Sequence, residues 1–245
     1  MKKGIIFDVD GTLWDSATQV AQSWQVAAEK LLNRPRPITP DMISRNMGKN
    51  MKDFGDALFP DLPVEKRMEV MAACMNYENQ YLLDHPGTLY PNVREVLSEL
   101  SKKYELFIVS NCQSGYIEVL MEACDLKQYI TDIECYGNTN LSKAENISLV
   151  IQRNHLDRSF YLGDTAMDAQ AAKDAGIPFV HAAYGFGKVE DPEAVIHDLA
   201  QLVPFAETFL RKTKGEERFM TELNEQARLR QILEFCQIKI WNASF

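Results

Sequence analysis

The stretch Gly4–Thr12, which reads GIIFDVDGT, decides the fold. Its apolar run ends abruptly at Asp8, as does a strand that is buried on both faces of a parallel sheet. Three similar short runs recur downstream: Leu106–Val109, Phe160–Leu162 and Phe179–Val180. Ser110 follows the first of them, and Gly163 and Asp164 follow the second. These runs predict the parallel strands of a central sheet.

Helical patterns separate these runs between about residues 90 and 200. Apolar residues recur there at the spacing of one helix face: Val93, Val96, Leu97 and Leu100, then Ile117, Leu120, Met121 and Cys124, then Ile147, Val150 and Ile151, then Ala169, Ala172 and Ala175. Strands that alternate with helices connect through right-handed crossovers. The pattern therefore predicts an α/β fold with a doubly wound parallel sheet.

Residues 16–84 interrupt this alternation because they carry helical patterns and no clear strand. Ser16–Asn33 and Val64–Leu83 are predicted as helices, and the latter places Met68, Met71 and Met75 in its core. We therefore expect an all-helical cap at 16–86, inserted into an α/β core formed by 1–15 and 87–210. Residues 211–245 are predicted as a helical C-terminal extension.

Composition and charge exclude several classes of function. The formal net charge of −9 opposes a long contact with nucleic acid or an anionic membrane. No run approaches the ~20 apolar residues that cross a bilayer. The cysteine count of 5 is odd, and no two cysteines form a C-x-x-C pair, which favours reduced thiols. We expect a cytoplasmic protein, monomer or homodimer, without a nucleic-acid or membrane partner.

Polar residues follow the predicted strands, where ligands bind in open α/β sheets. They include Asp8, Asp10, Gly11 and Thr12 after the first strand, Ser110 and Asn111 after the second, Lys143 in a loop, and Asp164 and Asp168 after the third. Each motif alone is a common turn or helix cap. Together, and in this order, they predict one site.

The four motifs resemble those of the haloacid dehalogenase superfamily of phosphohydrolases, in which D-x-D-G-T, a Ser or Thr, a Lys and G-D-x-x-x-D occur in the same order. The resemblance covers residues 4 to about 210, includes a helical cap after the first motif, and follows the phosphoglycolate phosphatase-like branch. One position departs from the pattern, because Ala144 follows Lys143 where the family typically has a Pro.

The first motif carries the chemistry of phosphoryl transfer, which needs a nucleophile, a proton donor and positive charge around the phosphoryl oxygens. The Asp8 carboxylate is a suitable nucleophile and would form an aspartyl-phosphate. Asp10 lies beyond a tight turn that Gly11 permits, and it would protonate the leaving alkoxide. We expect a phosphomonoester hydrolase for a small phosphorylated metabolite, such as phosphoglycolate.

Four nearby carboxylates repel one another without a cation, and such an oxygen-rich site selects Mg²⁺. The resemblance implies that the metal ligands are the Asp8 carboxylate, the Asp10 backbone carbonyl, Asp164 and, through water, Asp168. It also implies that Lys143 neutralises charge on Asp8 and the phosphate. Ser110 and Asn111, with backbone amides near Gly11 and Thr12, would bind the phosphoryl oxygens.

Specificity is expected to come from the cap. Residues 44–52 resemble the cap's substrate loop, and Arg45, with Lys49, is predicted to bind a substrate carboxylate or a second phosphate. The alternative is a solvated charged loop. Trp14 and Trp24 could line the cleft between cap and core, but packing at the hinge and in the core is the favoured interpretation.

Two other functions stay open: a sugar phosphomutase, although the cap lacks a His before His85, and a non-catalytic binding protein. Dehalogenation is disfavoured, because a leaving halide does not need the proton that Asp10 would supply.

Overall fold

The computed structural model of this protein describes residues 1–190 and 192–211. The chain divides into two units, Met1–Val203 and Pro204–Phe245. The second unit is described only over residues 204–211, which are helical. The predicted extension 211–245 therefore lies, apart from its first residue, outside the described residues.

The strands in chain order are β1 (Lys3–Phe7), β2 (Trp14–Asp15), β3 (Thr88–Leu89), β4 (Glu105–Ser110), β5 (Asp132–Cys135), β6 (Arg158–Gly163), β7 (Phe179–Ala182) and β8 (Val195–Ile196). Over the described residues, six of them form one parallel sheet in the order β5-β4-β1-β6-β7-β8. The predicted α/β fold with a parallel sheet is confirmed.

The helices are α1 (Ala17–Leu32), α2 (Pro40–Ser44), α3 (Met51–Leu58), α4 (Val64–Asp84), α5 (Val93–Leu100), α6 (Tyr116–Ala123), α7 (Tyr136–Thr139), α8 (Lys143–Arg153), α9 (Ala166–Asp174) and α10 (Leu202–Arg211). α8 and α9 cover one face of the sheet through a cluster of buried apolar residues that includes Ile6, Phe107, Ile147 and Ala172. Burial of these side chains provides the main favourable term for folding.

The helices α1 to α4 lie together in the sequence between β2 and β3, which pair antiparallel where the chain leaves the sheet and returns to it. α1 packs on α4, and the buried Trp24 ring contacts Phe54 edge-on and stacks on Phe59. The helical character predicted for this segment is confirmed, while the exact boundaries 16 and 86 stay a prediction.

The placement of Met68 in the helix core is wrong. Met68 is 68% exposed, whereas Met71 is 6% exposed and lies on the buried face of α4 with Cys74. Met68 and Met71 are three residues apart, but the buried residues of α4 begin only at Val70, two positions after Met68. Among the described residues, no helix is both long and apolar enough to cross a membrane.

Candidate active site

The site lies at the carboxyl end of β1, the central strand. The chain runs from β1 outward to β4 and β5 on one side and returns to β6 on the other, so the strand order reverses at β1. A crevice forms at such a reversal, which is where open α/β sheets bind ligands. Asp8, Ser110 and Asp164 lie at the ends of β1, β4 and β6, as the sequence predicts.

Lys143 joins two carboxylates in this crevice. Its Nζ donates to Asp8 Oδ1 at 2.9 Å and to Asp168 Oδ1 at 2.6 Å, and all three side chains are buried. Burial alone lowers the pKa of the Lys143 ammonium, but the carboxylates of Asp168 and Asp8 raise it above its ordinary value. Lys143 is therefore a permanent cation between two acids.

The prediction that Lys143 lies in a loop is wrong, because it is the first residue of α8. Ser142 caps the helix: its side chain accepts from the Glu145 amide, and the Glu145 carboxylate accepts from the Ser142 amide at 2.8 Å. This reciprocal pair is a capping box. It fixes the first turn in this chain, which lacks the Pro that typically follows the lysine in the family.

Asp168 both caps a helix and contacts a residue of the site, two roles that the sequence left as alternatives. Its Oδ2 accepts from the backbone amide and the hydroxyl of Thr165, at 2.9 and 2.6 Å, and so caps α9. Its Oδ1 meets Lys143. The capping hydrogen bonds with Thr165 therefore orient the Asp168 side chain toward the site.

One carboxylate oxygen of Asp164 lacks a partner in the described structure. Asp164 Oδ2 accepts from the amides of Phe186 and Gly187 at 2.7 and 3.1 Å, but Oδ1 is buried and unpaired. Oxygens of Asp8, Asp164 and Asp168 lie within 4.8 Å of one another. Burial raises the pKa of Asp8 and of Asp164 to about 7, against the lowering effect of Lys143 on Asp8 and of backbone hydrogen bonds on Asp164.

A hard divalent cation would satisfy these three groups. Close carboxylates repel in a dry site, and Mg²⁺ takes carboxylate oxygens as ligands. The unpaired Asp164 oxygen and the carboxylate cluster fit the predicted Mg²⁺. The part assigned to the Asp10 carbonyl stays a prediction.

Asp10 is held through a single oxygen. Its Oδ1 accepts hydrogen bonds from Trp14 Nε1 at 2.9 Å, Ser16 Oγ at 2.7 Å and Tyr116 Oη at 2.8 Å. Burial raises the pKa of Asp10, and these three donors oppose the shift. The arrangement fixes the carboxyl group and leaves Oδ2 for proton exchange.

The turn after β1 differs in one respect from the prediction. The amides of Gly11 and Thr12 donate to Trp14 O at 3.0 Å and Val9 O at 3.2 Å, so the turn already uses the donors that we expected on phosphoryl oxygens. In the described part of the chain, the amides of Val9 and Asp10 have no protein acceptor. The turn therefore offers a different pair of amides to an anion.

The cap closes over these residues to form a cleft. Asp8, Asp10, Ser110 and Asn111 line it from the core, and Lys49 lines it from the cap. Asn111 Nδ2 donates to the Gly48 carbonyl at 2.8 Å, which ties the two sides together. The predicted core residues are thus brought to one place, with Thr12 buried behind the turn.

Arg45 does not line this cleft. Its side chain is 75% exposed and its Nε pairs with Asp41 Oδ1 at 3.0 Å. Lys49 does reach the cleft, where its Nζ donates to Asn46 Oδ1 at 2.7 Å. The geometry of Arg45 matches the alternative of a solvated charged loop, and its proposed role stays a prediction.

Among the cleft residues that sequence reasoning missed, three carry polar side chains that hydrogen-bond in or beside the cleft. Tyr116 contacts Asp10 across 106 positions of sequence, which no local pattern reveals. Gln113 lies three residues after Ser110 and belongs to none of the motifs. Glu78 had a visible signal: it lies on the apolar face of α4 with Cys74 and Leu82, where an acid is out of place.

The comparisons with known proteins agree with this geometry. The profile of the haloacid dehalogenase-like hydrolases matches residues 5–182. The chain belongs to this family.

This chain is 26% identical over 228 residues to a curated phosphoglycolate phosphatase of Pseudomonas syringae pv. syringae. The match covers 83% of this chain and 79% of that protein. The chain is 25% identical over 236 residues to the phosphoglycolate phosphatase of Escherichia coli K12, covering 82% and 91%. This hydrolase is therefore a phosphatase of the phosphoglycolate phosphatase-like branch.

Solved structures show the same fold. A haloacid dehalogenase-like family hydrolase of Streptococcus pneumoniae superposes with a TM-score of 0.71 at 21% identity, covering 83% of this chain and 98% of that one. A predicted phosphoglycolate phosphatase of Haemophilus somnus also gives 0.71 at 21% identity, with 84% and 98% covered. These structures confirm the predicted fold.

Proposed function

We propose that this phosphatase is a Mg²⁺-dependent phosphomonoester hydrolase that acts on a small phosphorylated metabolite through an aspartyl-phosphate. The observation that carries the proposal is the buried contact of Asp8 with Lys143 at the carboxyl end of β1, beside the unpaired oxygen of Asp164. A carboxylate held by a fixed cation at a strand switch point is placed for nucleophilic attack.

In the first step the Asp8 oxygen that Lys143 does not bind attacks phosphorus. The new bond joins Asp8 to the phosphoryl group, and the bond from phosphorus to the leaving oxygen breaks. Asp10 Oδ2 gives its proton to that leaving oxygen. Lys143 holds the other Asp8 oxygen, so the attacking oxygen is aimed at the cleft.

In the second step Asp10 takes a proton from water, whose oxygen attacks phosphorus and releases Asp8 and inorganic phosphate. The three donors to Asp10 Oδ1 keep the carboxyl group in one orientation through both steps. Bound to Asp8, Asp164 and Asp168, Mg²⁺ would supply positive charge to the phosphoryl oxygens.

The phosphoryl oxygens would meet several donors. Ser110 and Asn111 line the cleft from the end of β4, and Lys143 contributes its charge. The free amides of Val9 and Asp10 replace the predicted amides of Gly11 and Thr12. Fixed donors of this kind stabilise the charge that develops in the transition state.

The test uses Asp8→Asn, with Asp132→Asn as a matched control outside the site. Phosphate release from p-nitrophenyl phosphate should require Mg²⁺, stop in EDTA, and fall at least about a thousandfold in the Asp8 variant. The control should keep its rate, because Asp132 binds Arg153 and Asn154 and does not line the cleft. Full activity of Asp8→Asn would refute the mechanism.

The same assay separates the other functions. A phosphomutase would convert a sugar phosphate without releasing phosphate, and a binding protein would show no turnover. The names of the relatives make phosphoglycolate a natural ester to include. The expected cytoplasmic location, the oligomeric state and the roles of Arg45 and Lys49 toward a substrate acid stay predictions.

A further inference from the structure

Part of the cleft is lined by residues that take no part in phosphoryl transfer. We call it the leaving-group side and define it by Val20, Trp24, Met51, Phe54, Glu78 and Gln113. A phosphate ester whose phosphorus sits at Asp8 must direct its alcohol part toward these residues. Four of them are apolar, so Glu78 and Gln113 decide which polar groups the alcohol can carry.

Glu78 is a buried acid on this side. Its side chain is 3% exposed, and its Oε2 accepts from Trp24 Nε1. The Gln113 side chain lines the same cleft. None of the ion pairs formed by the described residues includes Glu78. Burial raises the pKa of Glu78 to about 8, although the Trp24 hydrogen bond and the Gln113 amide lower it.

The position of Glu78 is fixed from both sides. It projects from α4, and Trp24 from α1 packs between two phenylalanine rings. Gln113 Nε2 also donates to Asn79 Oδ1 at 3.1 Å, which ties the core segment after β4 to α4. The carboxyl group is therefore held at the cleft instead of turning to solvent.

A carboxylate on the substrate would be poorly accommodated here. It would enter an apolar region next to another acid, and burying an unpaired charge is unfavourable. The only cation that the described cap residues bring to this cleft, Lys49, is already bound to Asn46. A hydroxyl group fits in either protonation state, because it donates to a carboxylate and accepts from a carboxylic acid.

We propose that Glu78 is a specificity-determining residue that selects phosphate monoesters whose leaving alcohol carries a further hydroxyl group, and that it disfavours alcohols carrying a carboxylate. The inference rests on the proposed phosphomonoesterase function and deepens it. It also separates this chain from its phosphoglycolate phosphatase relatives, whose names specify an ester that carries a carboxylate.

Three esters that differ in one group test the proposal. They are 2-hydroxyethyl phosphate, ethyl phosphate and phosphoglycolate, assayed with Mg²⁺ by phosphate release, with p-nitrophenyl phosphate as a reference. We expect kcat/KM to be about tenfold higher for the hydroxyethyl ester than for the ethyl ester, since a buried hydrogen-bonding group discriminates against an analogue that lacks the hydroxyl. Phosphoglycolate should be the poorest of the three.

Two variants assign the preference to Glu78. Glu78→Met removes the hydrogen bond, so the ratio of hydroxyethyl to ethyl ester should fall to about one. Glu78→Gln keeps an acceptor for Trp24 and the hydroxyl, and its amide can donate to a carboxylate. It should keep the hydroxyl preference and raise phosphoglycolate about tenfold relative to ethyl phosphate. Glu134→Gln, a buried acid bound by Arg153 outside the cleft, should leave all ratios unchanged.

The outcomes distinguish this inference from the proposed function. If the wild type hydrolyses p-nitrophenyl phosphate but prefers phosphoglycolate, or shows no hydroxyl preference, the role of Glu78 is wrong and the phosphatase mechanism stands. A ratio of phosphoglycolate to ethyl phosphate that does not rise in Glu78→Gln overturns it equally, even if Glu78→Met fails to fold. If no ester releases phosphate, the proposed function fails, and this inference with it.

Discussion

Three buried carboxylates and one buried ammonium lie in the site. Asp8 and Asp168 share Lys143, while Asp164 accepts hydrogen bonds from backbone amides instead. One positive charge cannot balance three negative ones, and the raised pKa values of Asp8 and Asp164 express this imbalance. The three carboxylates therefore need a further cation beside them to be stable in their ionised form.

Gly11 allows Asp164 to approach the turn after β1. Its φ of +80° is in the left-handed region, and a Cβ there would collide with the Asp164 carboxylate. We expect Gly11→Ala to reduce kcat at least about a hundredfold and to destabilise the protein by more than about 1 kcal/mol, because the carboxylate must move. Phosphate release and urea denaturation measure the two effects.

Gly176→Ala is the matched control for this prediction. Gly176 also has a positive φ, +71°, but a Cβ there would meet nothing within 4 Å. It should therefore lose about 1 kcal/mol of stability from backbone strain alone and keep its kcat. Equal loss of activity in both variants would contradict the role given to Gly11.

At this scale, the sequence predicted the residues whose chemistry is local. Asp8, Asp10 and Gly11 stand in one motif, and their positions follow from a strand that ends in a turn. Tyr116 could not be predicted as a cleft residue, because its contact with Asp10 joins distant parts of the chain. For Glu78 the sequence shows only an acid on an apolar helix face, which does not reveal what that face packs against. The sequence also did not show that the amides of Gly11 and Thr12 are used within the turn, since these hydrogen bonds appear only in three dimensions.

Among the elements, α8 has a direct effect on the site because Lys143 is its first residue. Ser142 caps this helix. Replacing Ser142 with Ala should lower stability by about 1 kcal/mol and also lower kcat several-fold, since fraying of the first turn displaces the ammonium from Asp8. Denaturant unfolding and initial rates with p-nitrophenyl phosphate test both parts.

Thr39→Ala provides the comparison. Thr39 caps α2 in the same way, with its side chain accepting from the Met42 amide, but α2 carries none of the residues that act on phosphorus. This variant should show a stability loss of similar size with kcat unchanged. If Ser142→Ala behaves as Thr39→Ala does, the cap does not position Lys143.

The elements themselves were predictable to different degrees. β1, β4 and β6 are buried in the middle of the sheet and read as continuous apolar runs. β5 was not predicted, because Asp132–Cys135 is an edge strand in which acids alternate with apolar residues. Its acids are held by Arg153 of α8, a long-range contact that the local pattern does not contain.

For the whole molecule, the segment after β4 connects the sheet to the inserted helices. Asn111 donates to Gly48 O at 2.8 Å, and Asn79 Nδ2 donates to Ser114 O at 2.9 Å. These bonds close the cleft directly above the Ser110 motif. We expect that a substrate enters when these two hydrogen bonds are broken, and that their formation excludes water from the cleft.

The net charge of −9 takes on a specific meaning in the folded molecule, because part of it lies in a cluster that needs a cation. Mg²⁺ that binds the folded state and not the unfolded chain stabilises the protein, by about 2.7 kcal/mol at a concentration of 100 Kd. We expect this gain in urea denaturation with Mg²⁺ relative to EDTA at matched ionic strength.

Asp164→Asn should lose most of this Mg²⁺-dependent gain in stability, because the unpaired Oδ1 belongs to Asp164. Asp132→Asn, an acid of β5 outside the site, should retain it. A Mg²⁺ gain that persists in Asp164→Asn would place the cation elsewhere, and the absence of any gain in the wild type would contradict the metal site.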